Sequence, residues 1–123
     1  MYQVYFYKDK NGKQPVLDYL KELCSKQDKD SRIKANKIND YIEFLRVHGK
    51  QAGEPYVKHL EGEIWELRPL RDRILFVAWY NHSFVLLHHF MKTTQKTPQR
   101  EIDKAKREPE LFTTATVRTL NAA

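Results

Sequence analysis

Between residues 56 and 90 the chain has room for little but an antiparallel β-meander. Four β-branched and aromatic runs follow one another: Tyr56 to Leu60 (YVKHL), Ile64 to Leu70 (IWELRPL, strand-like up to Pro69), Arg73 to Tyr80 (RILFVAWY) and Phe84 to Phe90 (FVLLHHF). Such residues favour strands. Only two or three residues separate the runs, with Glu61-Gly62 and Asn81-His82 as turn signals. A parallel crossover needs a dozen or more residues, so neighbouring strands must run antiparallel. The runs are also too apolar for a sheet with one wet face. Helices must cover one side and something else the other.

The preceding half supplies the helices. Tyr2 to Tyr7 (YQVYFY) reads as a first strand, and Asp9-Lys10-Asn11-Gly12 as a turn. Pro15 suits a first helical turn, and Val16, Leu17, Leu20 and Leu23 form the stripe that follows. Asp30 or Ser31 can cap a second helix, in which Ala35, Ile38, Ile42 and Leu45 recur at helical spacing before Gly49 stops it. The two helices are expected to form a hairpin with Lys26, Lys29, Arg32, Lys34 and Lys37 on its outer face. Thr97-Pro98 opens a last helix, with the threonine as cap, and Glu108-Pro109 ends it. The expectation is one α+β domain over residues 1–110 in the order β-α-α-β-β-β-β-α, followed by a disordered tail over 111–123.

Several classes drop out. Cys24 is the one cysteine in 123 residues, so no internal disulfide framework is possible and a reducing compartment is expected. The five histidines include no H-E-x-x-H and no i,i+4 pair, which argues against a zinc site. No signal-peptide core is visible, and the longest apolar run, Ile74 to Tyr80, is far short of a membrane span. A soluble cytoplasmic protein without metal or cofactor is the expectation.

The net charge of +6 inclines a small domain toward nucleic acid or another anionic partner. It is unevenly spread: residues 1–51 and 92–107 each carry +4, whereas 52–91 carry −1. Yet Arg68, Arg71 and Arg73 fall within six residues of that near-neutral sheet, flanked by Lys58-His59 and His88-His89, with Lys92 and Lys96 beyond. A meander can gather these residues on one face with few carboxylates. Arginine grips phosphate in a bidentate fork, lysine adds a point charge, and histidine exchanges a proton near neutral pH. With a nucleophile already in the substrate, such as an RNA 2′-hydroxyl, neither a protein nucleophile nor a metal is required.

Plainer readings compete. Arg68 and Arg73 could pair with Glu66 and Asp72 on the sheet surface, and Lys92 and Lys96 could be a solvated run. His88 and His89 alternate across a strand, so only one faces a given side. Trp65 and Trp79 suit the core, as does Cys24 on its helix face. His48 suits a helix C-terminus, and His82 lies in a turn.

These segments also carry a resemblance. The runs YVKHL, IWELRPLRDRILF (Ile64 to Phe76) and FVLLHHFMKTTQKTP (Phe84 to Pro98), with Glu101, Ile102 and Ala105, are similar to the phage-derived, HigB-like branch of the RelE/ParE toxin superfamily over residues 2 to 108. Thr93 stands where a lysine is common, and no tyrosine occupies positions 95–102, where RelE has a catalytic one. The resemblance implies a RelE-like fold and a type II toxin, neutralised by a cognate antitoxin, a helix-turn-helix protein of HigA type. It implies a metal-independent, ribosome-associated endoribonuclease that cuts mRNA by 2′-hydroxyl attack, leaving a 2′,3′-cyclic phosphate. Arg73 matches the phosphate-binding arginine, Arg68 a basic strand position, and Lys92 and Lys96 the basic segment after the last strand. His89, with His88 as the alternative, matches a histidine of HigB-type enzymes. Lys58, Arg71 and His88 are expected as further substrate contacts. The alternatives are a ParE-type DNA gyrase inhibitor without nuclease chemistry, or a basic RNA-binding module.

Overall fold

The computed structural model describes residues 1–79 and 82–108. The expected tail over 111–123, and the expected stops at Asn81 and Pro109, lie outside the described residues. Strand β1 (Gln3–Phe6) leads into a turn built by Asp9, whose Oδ1 accepts from the backbone N–H of Asn11 at 2.9 Å and of Lys13 at 2.8 Å. Helix α1 (Pro15–Ser25) begins on its proline and buries Val16, Leu20 and Leu23. Helix α2 (Lys29–His48) buries Ala35, Ile38, Ile42 and Leu45, the four residues that its spacing picks out. Its cap is Asp28, two or three positions earlier than Asp30 or Ser31. The Asp28 carboxylate accepts from Ser31 N–H and Ser31 Oγ, both at 2.9 Å, and the backbone bond is the main cause holding its pKa below the usual range.

Gly49 ends α2 at φ +61, and a Cβ there would sit 2.7 Å from the Tyr2 ring. Only glycine lets the chain turn left-handed while β1 comes this close. A 3₁₀ turn (Gly49–Ala52) then leads to β2 (Val57–Glu61), β3 (Ile64–Leu67), β4 (Asp72–Trp79) and β5 (Ser83–Met91). The strand order is β1-β5-β4-β3-β2. The last four strands form the antiparallel meander, and β1 lies parallel to β5 at its edge. Helix α3 (Gln99–Arg107) follows a loop over residues 92–98. Pro98, rather than Thr97, occupies its cap position, because the Thr97 hydroxyl is engaged elsewhere.

The sheet is buried on both faces. On one, Val4, Phe6, Ile74, Phe76, Phe84 and Leu86 pack against the helical pair. On the other, Tyr7, Ile64, Leu75, Val77, Val85 and Leu87 pack with Ala105 of α3. The register between β4 and β5 contains one irregularity: Phe76 pairs with Leu86, but Leu75 pairs with His88. Leu87 is therefore the extra residue of a β-bulge, which swaps the faces of every residue after it. Among the described residues, no helix is long and apolar enough to cross a membrane.

Helix α1 is tied to the start of β4 by a polar contact at the edge of the core. The Tyr19 hydroxyl donates to Asp72 Oδ1 at 2.9 Å, and Asp72 is buried. Burial and the Asp72 carboxylate together push the phenol far above the ordinary tyrosine value, so it remains a donor. Tyr19→Phe removes the donor and leaves a buried carboxylate short of a partner. Its expected cost is about 2 kcal/mol of folding free energy, measurable by denaturant titration.

Candidate functional site

The site is on the α3 face of the sheet, where one transverse row of cross-strand partners runs Lys58, Glu66, Leu75, His88. The next row places Arg73 opposite Phe90. The loop over 92–98 closes the open end, leaving a groove of about 280 Å³. Five cations line it (Lys58, Arg68, Arg73, Lys92 and Lys96) against two carboxylates, Glu61 and Glu66. Glu61 is occupied at the rim by an ion pair with Lys106 and a bond from Gln99. The field inside is therefore strongly positive, as binding of a polyanion requires.

Glu66 forms the floor. It is 2% exposed, and its Oε1 accepts a hydrogen bond from Thr97 Oγ1 at 2.7 Å. Arg73 Nε lies 3.8 Å from Oε1 and Arg68 Nε 3.9 Å from Oε2. These are charge neighbours rather than hydrogen bonds. Among the described residues the buried Arg68 Nε has no hydrogen-bond partner. Arg73 spends Nη1 on the backbone, donating to Leu70 O at 2.9 Å and Asp72 O at 2.8 Å. Burial is the main cause that lowers its pKa from the ordinary arginine value, with Glu66 opposing and Arg68 assisting. Both arginines thus face Glu66, but inside a groove rather than on the sheet surface. Among the described residues neither arginine forms an ion pair with the Asp72 side chain, whose Oδ1 accepts from Tyr19.

Of the residues singled out from sequence, Lys58, Arg68, Arg73, Lys92 and Lys96 come together. His88, His89 and Arg71 do not join them. Without the bulge at Leu87, His89 would stand opposite Arg73; with it, His89 pairs with Ile74 and crosses to the helical side. There its ring stacks on Tyr19, with centroids 4.0 Å apart. His88 stays on the α3 face but is buried between two carboxylates of the C-terminal segment. Its Nδ1 is 2.6 Å from Glu108 Oε1 and its Nε2 3.1 Å from Glu101 Oε1, an arrangement that anchors α3. His59 borders the groove, but its ring leans on Trp65 and its Nε2 faces Gly62 O at 2.8 Å. Arg71 lies over the rim, where Nη2 donates to Lys92 O at 3.2 Å.

Two groove residues, Glu66 and Thr97, had other readings in the sequence: a surface pairing partner and a helix cap. One signal did point to Glu66, since alternation sets it on the same face as Arg68, two residues on. Among the described residues, no group of three or more His, Cys, Asp or Glu is arranged to hold a metal ion.

A family model described as phage derived protein Gp49-like (DUF891) matches residues 20–110, a span that includes every groove-lining side chain named above. No curated protein matches the chain.

The position of His89 has a consequence for stability. Burial is the main cause holding its imidazole below the ordinary value, with Asp72 opposing. The unfolded chain then binds more protons than the folded one in the window below the ordinary imidazole pKa. The stabilisation is present above that value and is lost as pH falls through the depressed one. Thermal melts should show Tm falling between about pH 7 and pH 5, and falling less in His89→Phe, which keeps a ring against Tyr19. An equal acid-induced drop in both proteins would contradict this.

Proposed function

The chain belongs to the phage-derived Gp49-like family, and from that premise we propose that it is the toxin of a type II toxin–antitoxin system that cuts mRNA on the ribosome. The family is commonly linked to RelE/HigB-type toxins. The observation that carries the reading is the groove in which five cations surround one buried carboxylate. Its cations suit a phosphodiester, and its carboxylate suits the acceptance of one proton.

In the proposed reaction the RNA brings its own nucleophile. Glu66 takes the proton of the 2′-hydroxyl, a role open to it because the rings of His88 and His89 are turned away from the groove. The 2′-oxygen attacks the adjacent phosphorus, and the bond from phosphorus to the 5′-oxygen breaks. Arg68 and Arg73 stabilise the charge that builds on the pentacoordinate phosphorus. Lys92 or Lys96 supplies the proton taken up by the leaving 5′-oxygen. The products are a 2′,3′-cyclic phosphate and a 5′-hydroxyl, and all bonds balance without a further reactant. Thr97 positions Glu66 by its hydrogen bond. The ribosome would present the mRNA, and a helix-turn-helix antitoxin of HigA type would neutralise the toxin.

Arg68→Ala and Glu66→Gln are the informative variants, because Arg73 also braces two backbone carbonyls and its loss would disturb the turn. Primer extension after induction should show codon-phased 5′ ends for the native protein. Cleavage should fall about 100-fold or more in each folded variant, the scale for losing a preorganised charge at a reacting centre. Full toxicity in both folded variants would overturn the site. Intact transcripts accompanied by DNA damage would instead identify a gyrase inhibitor of ParE type.

A further inference from the structure

Beyond the groove, across a ridge formed by Arg73, Lys92 and Thr93, lies a second hollow of about 440 Å³. Leu70 and Arg71 supply its far side. Leu70 is unusual in two ways. Its backbone is left-handed at φ +57, a conformation costly to any residue but glycine, and its side chain is 49% exposed. A strained leucine that gains little from burial points outward to a use.

The turn that carries Leu70 is held rigidly. Arg73 Nη1 donates to Leu70 O at 2.9 Å from inside the groove, and Asp72 N–H donates to Pro69 O at 3.1 Å. Lys92 N–H donates to Arg71 O at 2.7 Å, while Arg71 Nη2 returns a bond to Lys92 O at 3.2 Å. The Arg71 guanidinium is thereby oriented, and among the described residues this is the one side-chain hydrogen bond that its five donors make. Among the described residues it forms no ion pair with a carboxylate. One residue, Arg73, thus braces the strained turn and walls both hollows.

The size of the first groove adds a constraint. Ligand pockets run from about 300 to 1,000 Å³, so a groove of about 280 Å³ holds little more than a single nucleotide unit. A polymer seated there extends past the groove, and the second hollow adjoins it along the side chains the two share. We propose that the second hollow is a subsite for the nucleotide next to the scissile one, with Arg71 on its phosphate and Leu70 against its base. The substrate is then single-stranded RNA that engages at least two phosphates, since a paired base would be stacked away from Leu70. This inference rests on the reading of the groove given under Proposed function.

The test is a binding titration of the purified protein with 2′-O-methyl RNA, which lacks the attacking hydroxyl. A dinucleotide offers one phosphate and a trinucleotide two. The native protein should bind the trinucleotide about tenfold more tightly. Arg71→Ala should remove that gain, leave dinucleotide binding unchanged, and reduce the salt slope for the trinucleotide by about 0.7, the value for one phosphate on a single strand. Leu70→Gly should also reduce the gain, by about threefold, with a Tm at or above the native one because glycine accepts the left-handed backbone. Equal native binding of both lengths, or equal loss on both lengths in Arg71→Ala, would overturn the subsite and leave the groove reading standing. No native binding of either length at low salt would overturn the groove reading, and the subsite with it.

Discussion

A carboxylate taken out of water must be compensated, and Glu66 is compensated by groups from three different parts of the chain. Thr97 reaches it from the loop before α3, Arg73 from the first residues of β4, and Arg68 from the turn that joins β3 to β4. None of these contacts is local in sequence except the one to Arg68. Glu66 therefore ties the loop bearing Lys92 and Lys96 to the sheet, and it holds two like-charged guanidinium groups on one side of a groove. Remove the negative charge, and the arginines face each other without a counterion. In the proposed reaction the carboxylate that orders the two arginines is also the group that accepts the proton.

The rest of the molecule keeps this arrangement in place. The helical pair covers one face of the sheet with an apolar core, and the opposite face carries Lys58, Glu66 and His88 in one row beside its own apolar cluster under α3. Tyr19 fastens α1 to Asp72, the residue next to Arg73. His88 fastens α3 through Glu101 and Glu108, so its imidazole serves the wall rather than the groove. The bulge at Leu87 decides which histidine goes to which layer, His88 to the α3 side and His89 to the helical pair.

Much of this was legible in the residues themselves. Short connections between apolar runs dictate an antiparallel meander, and the stripe from Ala35 to Leu45 dictates the face that α2 buries. The place of β1 was not legible, since nothing local distinguishes an edge beside β5 from one beside β2. Alternation says that His88 and His89 point opposite ways but not which way. A bulge within Leu86-Leu87 leaves no mark, because leucine suits either face. The cap at Asp28 and the diversion of Thr97 to Glu66 were missed for related reasons: several polar residues compete locally, and a partner 31 positions away decides. The cationic cluster was legible as a set, but its organising carboxylate was not, because depth of burial is a property of the packed layers.

In this account the protein supplies charge, position and one proton acceptor, while the RNA supplies the nucleophile. That division can be tested without altering the protein. Translating ribosomes are programmed with an mRNA that carries a single 2′-deoxynucleotide immediately 5′ of a mapped cleavage position, and the ends are analysed after addition of the protein. Cleavage at that phosphate should disappear while neighbouring sites are still cut to 2′,3′-cyclic phosphate ends. Undiminished cutting at the 2′-deoxy position would contradict the account.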